Sequence, residues 1–476
     1  MAVKKDLKKQ KSTFFYKLIS FILVMCSVIA AGVVVYFEIL PYKYLLPLLV
    51  IITLLVGWIS YKLNRKSCLF TKLCLIFLSL GIIAFESLGV CYAYGTASFL
   101  NNILDSGQHQ EIFNLYVLDD GTKTSLDALA NQNILVYQSD GEALSKAEKA
   151  LKEKLNYIAQ PVDELGASVQ KLIDKESEAF FISEVLMQIY KEDHEELYNQ
   201  LKIIDSVEVS IKKDSTLKKV DIAKQPFVVY LSGTDDYGGV KKVARSDTNM
   251  LAVVNPARGK ILIINTPRDY YVTLASKNAK DKLTHAGIYG IEESANTLGL
   301  LYEVEVNYYA RVNFSSFTKI IDALGGIEVE SKYNFSYNGY SFKKGKNNLK
   351  GNAALAFSRG RKMLPLGDED RGQNQQAVLA GIIKKLTDKK ILTKYNTLLN
   401  SLEKGLITNV ERDVITQAVN MQLDENIKWE IETYAVTGSH SNNVTYSTGR
   451  NKCYVMEPNM ETVTEAKAKI QNVLGI

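Results

Sequence analysis

Basic side chains concentrate in residues 357–376, which read FSRGRKMLPLGDEDRGQNQQ. This stretch holds Arg359, Arg361, Lys362 and Arg371, together with a run of three acidic residues. Planar guanidinium groups donate paired hydrogen bonds that match the oxygens of a phosphate or a carboxylate. Arg359 and Arg361 point the same way if the backbone between them is extended. The stretch therefore predicts an anion-binding site, with a solvated charged loop as the alternative interpretation.

A second group of chemically capable residues follows two predicted strands. PFVVYLSG reads as a strand that ends at Gly233, and GKILIINT as a strand that ends before Pro267. Asp235 and Asp247 come after the first strand and Arg268 after the second, which is where an open α/β sheet places its site. Two carboxylates are the usual way to hold Mg²⁺, and arginines beside that ion form a clamp for phosphoryl chemistry. The pattern predicts such a site at the strand ends.

Motifs of several other chemistries are absent from the sequence, which contains no GxxxxGK[ST], GxSxG, HExxH or CxxC. Lys282 follows the next polar loop and is a further candidate for binding an anion. Each candidate also has a structural interpretation. The two aspartates would be surface carboxylates, and the arginines of the stretch would form structural salt bridges. Arg268 would cap a turn, and Lys282 would be an ordinary loop lysine. His109 and His194 lack metal-ligand spacing, and we expect His285 to be packed or hydrogen-bonded.

The elements that must position these side chains form two predicted domains. Strands alternate with helices through residues 220–476, which predicts an α/β domain, an α-β-α sandwich with a central mixed sheet. NAALAF and a run beginning near Gln375 read as helices, separated by a loop at Pro365 and Gly367. Residues 98–219 read as an α+β accessory domain. Its predicted strands are IFNLYVL, NILVYQS and IIDSVEVSI, and its predicted helices are EALSKAEKALKEKLNYI and VQKLIDKESEAFFISEVLMQIY.

Three long apolar runs precede these domains, at residues 18–37, 44–61 and 73–94. Each is long enough to cross a hydrocarbon core of about 30 Å as a helix. Basic residues cluster before the first run and between the second and third, so the positive-inside rule places the N-terminus in the cytoplasm. We therefore expect residues 1–97 to form a membrane anchor with three transmembrane helices, and both later domains to be extracellular.

The net positive charge of the chain comes from the predicted membrane anchor. Residues 1–72 hold eleven basic and two acidic side chains, a charge of +9, which leaves −4 for residues 73–476 out of a total of +5. Binding of nucleic acid needs positive charge clustered on the soluble part, so we expect no nucleic-acid partner. Cys453 is the only cysteine after the spans. An exported domain without an intrachain disulfide is typical of many Gram-positive bacteria.

The predicted α/β domain resembles the LytR-CpsA-Psr family of cell-envelope phosphotransferases over residues 221–476. The resemblance rests on six pieces in order: VVYLSGTD (228–235), ARSDTNM (244–250), TPRD (266–269), KLTHA (282–286), SRGR (358–361) and DRGQNQQ (370–376). Three spans followed by an accessory domain are most similar to the CpsA-type members of streptococci and related bacteria. Gln373 stands where many relatives carry arginine or lysine, and Asn249 replaces a more usual apolar residue.

The resemblance implies an activity and a role for each candidate residue. Family members move a glycan polymer, capsular or teichoic-acid-like, from a polyprenyl-pyrophosphate carrier to a peptidoglycan hydroxyl, releasing polyprenyl phosphate. The implied cofactor is Mg²⁺, held by Asp235 and Asp247. The implied pyrophosphate ligands are Arg268, Arg359, Arg361, Arg371, Lys282 and Gln375. Asp247, Arg268 and Arg371 would be catalytic, and the base for the acceptor is Asp247 or a metal-bound acid.

Other functions remain open from the sequence. A lipid-pyrophosphate hydrolase would use the same site, with water in place of the acceptor. Two further alternatives are not enzymes. One is a membrane-anchored regulator of capsule synthesis, and the other is a glycan-binding scaffold. Either would contact the capsule-synthesis machinery. The charge distribution argues against the DNA-binding form of such a regulator.

Overall fold

The computed structural model describes residues 2–37, 42–103, 108–138, 141–212, 215–234, 243–388, 405–449 and 452–476. Contacts divide the chain into two compact units. One unit comprises residues 1–102 and 411–427, and the other comprises residues 103–410 and 428–476. Most of the predicted accessory and α/β domains belongs to the second unit, whereas residues 411–427 of the α/β domain belong to the first.

The N-terminal unit contains three long apolar helices. They are α1 (Ala2–Phe37), α2 (Tyr42–Leu63) and α3 (Leu69–Ile103). Each of the three predicted spans lies inside one of these helices, and the segments Phe14–Phe37, Tyr42–Leu63 and Leu69–Ser98 are long and apolar enough to cross a membrane. The three predicted apolar helices are confirmed.

The accessory region folds as a five-stranded sheet with helices on both faces. Its elements are β1 (Gln108–Leu118), β2 (Asn133–Tyr137), α4 (Glu142–Lys154), β3 (Ile158–Val162), α5 (Leu165–Ile173), β4 (Ala179–Ser183), α6 (Glu184–Asp193), α7 (Glu195–Tyr198) and β5 (Leu201–Lys212). The strand order is β3-β2-β4-β1-β5. Alternate residues of β1 and β4 face opposite sides, so one hydrophobic cluster includes α4 and another includes α5 and α6.

One accessory element was predicted wrongly. The segment VQKLIDKESEAFFISEVLMQIY was expected to be helical, but β4 interrupts it between α5 and α6. All but the last residue of β4 are buried because the strand lies inside the sheet, paired with both β1 and β2. A short strand buried on both faces shows no alternation of apolar and polar residues, and periodicity cannot separate it from a buried helix.

The α/β domain follows with many short elements. They are β6 (Phe227–Thr234), β7 (Thr248–Asn255), β8 (Lys260–Thr266), β9 (Tyr271–Thr273), β10 (Lys280–Lys282), α8 (Leu283–Ala286), α9 (Ile291–Tyr302), β11 (Tyr308–Asn313), α10 (Phe314–Ala323), β12 (Ile327–Ser331), β13 (Phe335–Tyr337), β14 (Tyr340–Phe342), β15 (Gly345–Leu349), α11 (Gly351–Arg359), α12 (Asp368–Leu386), β16 (Leu406–Thr408), α13 (Arg412–Glu425), β17 (Glu430–Ala435), β18 (Gly438–Val444), β19 (Lys452–Pro458) and α14 (Met460–Leu474).

A six-stranded mixed sheet forms the centre of this domain, in the order β16-β11-β6-β7-β8-β17. β7 is antiparallel to both β6 and β8, whereas β11 pairs with β6 and β17 with β8 in parallel. Helices α9 and α14 cover one face of the sheet, and α12 covers β8 and β17 on the other. The predicted α/β domain with a mixed sheet is confirmed. The carboxyl ends of β6 and β8 and the start of β7 share one edge.

Helix α12 begins earlier than predicted, at Asp368 instead of near Gln375. Its first turn is formed by the three acidic residues that read as loop in the sequence. Negative side chains are stabilising at a helix N-terminus because the unpaired N–H groups there carry partial positive charge. As a result Arg371 lies on a helix and not in a loop.

The second part of the N-terminal unit is α13, which joins β16 to β17 in sequence. The hydroxyl of Tyr44, near the start of α2, donates to the carbonyl of Leu423 at 3.4 Å. The ammonium of Lys43 lies 4.0 Å from a carboxylate oxygen of Asp424. The α13 segment therefore contacts the end of α2 that follows the first short loop.

Candidate functional site

The segment before β7 carries Asp247 to the edge where β6 and β8 end. The N–H of Asp247 donates to the carbonyl of Gly233 at 3.0 Å. Asn249, buried on β7, donates its side-chain amide to the carbonyl of Ser246 at 2.9 Å and accepts a hydrogen bond from the Tyr230 hydroxyl at 2.6 Å. The polar residue that departs from the family pattern thus fixes the backbone beside Asp247. No sequence pattern indicated this role.

Arg268 reaches Asp247 directly from the end of β8. Its Nη1 donates to Oδ1 of Asp247 at 2.7 Å, and its Nε lies 3.7 Å from Oδ2 of Asp269. Burial lowers the pKa of the Arg268 guanidinium, but the carboxylates of Asp247 and Asp269, with a smaller contribution from Glu192, raise the pKa above its ordinary value overall. Oδ2 of Asp247 is buried and has no hydrogen-bond partner among the described residues.

Asp368, in the first turn of α12, organises two of the predicted arginines. Its Oδ1 lies 2.6 Å from Nη2 of Arg371 and 3.4 Å from Nε of Arg361. Burial lowers the pKa of the Arg371 guanidinium, and the nearby charges of Arg268 and Arg361 add to that effect while Asp368 opposes it. Three cationic side chains therefore lie close enough to repel one another. Such an arrangement is suited to a multiply charged anion.

The remaining predicted ligands come from α11 and α12. The guanidinium of Arg359, at the end of α11, lies 4.9 Å from the ring centre of Phe314 in a cation–π contact. Gln375 is four residues after Arg371, which places the two side chains on one face of α12. The amide of Gln375 donates to the carbonyl of Ser358 at 3.4 Å, which links α12 to the end of α11.

These side chains border a cavity of about 790 Å³. Its charged and amide lining residues are Asp247, Arg268, Asn313, Arg359, Arg361, Lys362, Arg371 and Gln375. Its apolar lining residues include Leu231, Met250, Ala310, Val312, Phe314, Phe317, Ile320, Leu355, Val378, Leu379, Ile382, Leu386 and Leu406. The apolar residues come from β6, β7, β11 and β16 on the sheet side and from α10, α11 and α12 on the other. One cavity thus joins a cationic group to an apolar chamber.

Two predicted site residues need separate mention. Asp235 lies outside the described residues, and Lys282 is not among the described residues that line this cavity. Lys282 is buried at the junction of β10 and α8. Burial of Cys453 raises the pKa of its thiol, and the nearby positive charge of Lys282 partly opposes that increase. The roles of Asp235 in metal binding and of Lys282 in pyrophosphate binding stay predictions.

His285 is buried and hydrogen-bonded, as expected. Its Nδ1 lies 2.7 Å from Oδ1 of Asp281 and 2.7 Å from Oγ of Ser447. A Ser-His-Asp triad needs the serine and the aspartate on different ring nitrogens, whereas both contacts here use Nδ1. The N–H groups of Lys282 and Ser447 also donate to the Asp281 carboxylate, at 2.7 and 2.9 Å. The cluster therefore joins α8 to the segment after β18 and has no triad geometry.

A divalent cation fits the chemistry of Asp247. Its Oδ1 is engaged by Arg268, while the buried Oδ2 is an orphaned anionic oxygen of the kind that Mg²⁺ prefers. No cluster of three or more histidine, cysteine, aspartate or glutamate ligands occurs in the part of the chain that the structure describes. Mg²⁺ commonly takes only one or two carboxylates and completes its shell with water and phosphate oxygens. The donor set at Asp247 is thus compatible with this ion.

Residues 194–469, more than half of the 476-residue chain, match the LytR_cpsA_psr family. The chain belongs to the LytR-CpsA-Psr family. Its arginine stretch, its Asp247 segment and the TPRD strand end all lie within the matched region. The resemblance inferred from the six sequence pieces is confirmed.

Curated members of the LytR-CpsA-Psr family are similar to the chain over the same region. The polyisoprenyl-teichoic acid–peptidoglycan teichoic acid transferase TagU of Bacillus mycoides (strain KBAB4) is 35% identical over 217 residues, which is 44% of this chain and 71% of the relative. TagU of Bacillus subtilis (strain 168) is 37% identical over 213 residues, which is 44% of this chain and 68% of the relative. The chain also matches the crystal structure of B. subtilis TagU at 30% identity and a TM-score of 0.42. That match covers 53% of this chain and 97% of the TagU chain.

Proposed function

We propose that this chain is a membrane-anchored phosphotransferase that moves a glycan polymer from a polyprenyl-pyrophosphate carrier to peptidoglycan and releases polyprenyl phosphate. The observation that carries the proposal is the single cavity that unites arginines with an apolar chamber. A polyprenyl pyrophosphate has the same two parts, a charged head and a hydrocarbon tail. The teichoic acid transferase activity named for the curated relatives supports this assignment.

The chamber is suited to the prenyl chain. Pockets of roughly 300–1,000 Å³ with a mainly apolar lining and a few placed polar groups are typical ligand sites. Here the apolar lining comes from the sheet on one side and from α10, α11 and α12 on the other. Burial of the hydrocarbon removes apolar surface from water and would supply most of the binding free energy. The arginines would then fix the position of the pyrophosphate.

Transfer in this site is a substitution at phosphorus. The oxygen of an acceptor hydroxyl on peptidoglycan bonds to the phosphorus nearest the glycan, and the bond from that phosphorus to the bridging oxygen breaks. Polyprenyl phosphate departs with the bonding electrons, and the acceptor proton passes to a base. Arg268, Arg361 and Arg371 would stabilise the negative charge of the phosphate oxygens and of the leaving group.

Asp247 has two chemical uses in this scheme. Its Oδ1 holds the guanidinium of Arg268, and its buried, unpartnered Oδ2 would accept a cation or the acceptor proton. Mg²⁺ held by Asp247 and by Asp235 would supply further positive charge beside the pyrophosphate. The sequence pattern is the support for Asp235 as the second ligand.

The proposed location follows from the anchor. With the N-terminus in the cytoplasm, three crossings place the accessory and catalytic domains outside, at the surface where lipid-linked polymer and peptidoglycan meet. We propose a capsular polysaccharide or a teichoic-acid-like polymer as the glycan. The partners are then the lipid-linked glycan, the peptidoglycan acceptor and the membrane lipid.

The test uses the purified full chain in detergent with a synthetic polyprenyl-pyrophosphoryl disaccharide. Release of polyprenyl phosphate is measured with and without Mg²⁺ and with and without peptidoglycan fragments, for wild type and Arg371→Ala. We expect release that requires Mg²⁺, increases with the acceptor and is lost in the variant. Equal release without acceptor would identify a hydrolase. Tight lipid binding with no release in any mixture would identify a glycan-binding scaffold.

A further inference from the structure

The segment that delivers Asp247 to the site is attached to the accessory region as well as to the catalytic sheet. Val243 is buried in the hydrophobic cluster that contains Leu186 and Tyr190 of α6. The N–H of Val243 donates to the carbonyl of Gln110 on β1 at 3.0 Å. The first residue of the segment is therefore packed into the accessory region, four residues before Asp247.

An ion pair makes a second connection. Arg245, two residues before Asp247, pairs with the carboxylate of Glu192 near the end of α6. The Arg245 side chain is 15% exposed, so its charge is largely withdrawn from water and depends on this partner. The same Glu192 carboxylate is close enough to contribute to the raised pKa of Arg268. A charge from the accessory region thus acts within reach of the catalytic residues.

The catalytic domain contacts the 243–247 segment on its other side. The N–H of Ser246 donates to the carbonyl of Thr284 at 3.1 Å, and Ser246 is fully buried. Gly287 packs so tightly here that an added Cβ would lie 2.7 Å from the carbonyl oxygen of Ala244 and 2.8 Å from the nitrogen of Ser246. The segment therefore has little room to shift towards the catalytic domain, and the accessory region limits movement in the opposite direction.

We propose that the accessory region is a positioning element of the catalytic site, which acts through Glu192 on Arg245 to hold the 243–247 segment and with it the Asp247 carboxylate. Glu192 is a positioning residue in this assignment. It touches no reacting atom, and its effect reaches the chemistry through the backbone between Arg245 and Asp247. The expected loss of turnover rests on the proposed function, whereas the expected loosening of the 243–247 segment does not.

The expected effect is on turnover and not on lipid binding. Displacing a catalytic group by about 1 Å can cost on the order of 100-fold in rate. Glu192→Gln keeps the size of the side chain and removes its charge, so we expect kcat to fall roughly 10-fold, a partial loss of that positioning. The KM for the lipid substrate is expected to stay within about twofold, because loss of a group that acts only in the transition state lowers kcat.

The experiment uses the full chain and a double-mutant cycle of Glu192→Gln, Arg245→Gln and the two together. Two residues that act as one unit give a double variant no worse than the single ones. Asp205→Asn is the matched control, because it removes the ion pair of Asp205 with Lys154, at 2.8 Å, within the accessory region. Hydrogen exchange of the amides in residues 244–250 is measured alongside release of polyprenyl phosphate from the synthetic disaccharide substrate.

The proposal expects faster exchange in residues 244–250 and lower kcat for Glu192→Gln, with neither change in Asp205→Asn. Unchanged exchange in Glu192→Gln would overturn it, and so would faster exchange with normal kcat. Additive losses in the cycle would also overturn it, since they would show that the two side chains act separately. If the wild type releases no polyprenyl phosphate, the proposed function fails, and the exchange data alone decide whether Glu192 holds the segment.

Discussion

Arg268 and Asp247 form an ion pair at 2.7 Å that uses only one oxygen of the carboxylate. The second oxygen, Oδ2, is buried without a hydrogen-bond partner among the described residues. An unpaired buried carboxylate oxygen carries a desolvation cost that a bound cation or proton would offset. The pair therefore places an unsatisfied anionic oxygen beside a fixed guanidinium, which suits a bound cation or proton at that oxygen.

The Asp247→Asn variant tests this acceptor directly. The amide removes the negative charge while keeping the size of the side chain, so we expect kcat to fall by about 100-fold or more, the order seen when a general base or a charge-stabilising group is removed. Initial rates of polyprenyl phosphate release at saturating substrate check this. Circular dichroism of the variant serves as the folding control. Retention of more than a tenth of wild-type turnover would remove Asp247 from the chemistry.

Asp368 is predicted to matter through the two arginines that it holds. Asp368→Asn leaves Arg361 and Arg371 without their shared carboxylate, and we expect kcat/KM to fall about 10- to 100-fold because the cationic groups lose their alignment. Glu328→Gln is the control, since it removes an exposed ion pair with Lys346. Equal activities of the two variants would show that Asp368 is not needed to orient the arginines.

The apolar chamber predicts selectivity for the length of the lipid. Ala310 lines it from β11, and Ala310→Phe would fill part of its volume. We expect the KM of a long-chain polyprenyl substrate to rise about 10-fold, within the range that extra volume in a packed site costs. A short-chain analogue should be affected much less. Leu300→Phe, at an exposed position of α9, is the control. The same increase for both chain lengths would place the lipid elsewhere.

Much of the fold was predictable because its strands and helices have clear periods. β6, β8 and β11 carry apolar runs with turn residues at their ends, and α10 ends before a Gly-Gly pair. The missed strand β4 has a physical explanation, because it is paired on both sides and nearly all of its residues are buried. It does not show the alternation on which a prediction of strands depends.

The site was predictable as residue types but not as contacts. The arginine-rich pieces and the strand ends identified the charged side chains that line the cavity, but not its apolar lining. Sequence alone could not show that Asp368 pairs with two arginines, that Phe314 stacks on Arg359 or that Asn249 holds the backbone at Ser246. The contacts of Asp368 with Arg361 and of Phe314 with Arg359 join residues on different elements, so they depend on how those elements pack. Local patterns carry no information about such pairs.

Cys68 provides a test of the membrane topology. A hydrogen bond with Thr71 at 3.0 Å lowers the pKa of the Cys68 thiol, so a larger fraction is thiolate near neutral pH and reacts with maleimide. Cys453 is buried, and burial raises the pKa of its thiol. We expect a membrane-impermeant maleimide to label Cys68 only after the cells are permeabilised. Cys68→Ser should remove the signal, and labelling in intact cells would reverse the proposed orientation.

The buried Asp281–His285 cluster is predicted to act on stability alone. Asp281→Ala leaves three hydrogen-bonding groups without their acceptor, and we expect unfolding to become easier by about 2–4 kcal/mol, or about 5 °C or more in Tm. Glu432→Ala, which removes an exposed ion pair with Lys469, should leave Tm nearly unchanged. His285→Asn is expected to keep its kcat per folded molecule. A large loss of kcat with normal Tm would assign His285 to the chemistry.

The central claim is tested most directly by the fate of the phosphate nearest the glycan. A polyprenyl-pyrophosphoryl disaccharide carrying ³²P at that position is incubated with the full chain, Mg²⁺ and peptidoglycan fragments, and the products are separated. Transfer as proposed puts the label in the peptidoglycan and leaves the released polyprenyl phosphate unlabelled. Label recovered in a free disaccharide phosphate, or in the polyprenyl product, would contradict the assignment of this chain as a glycan-polymer phosphotransferase.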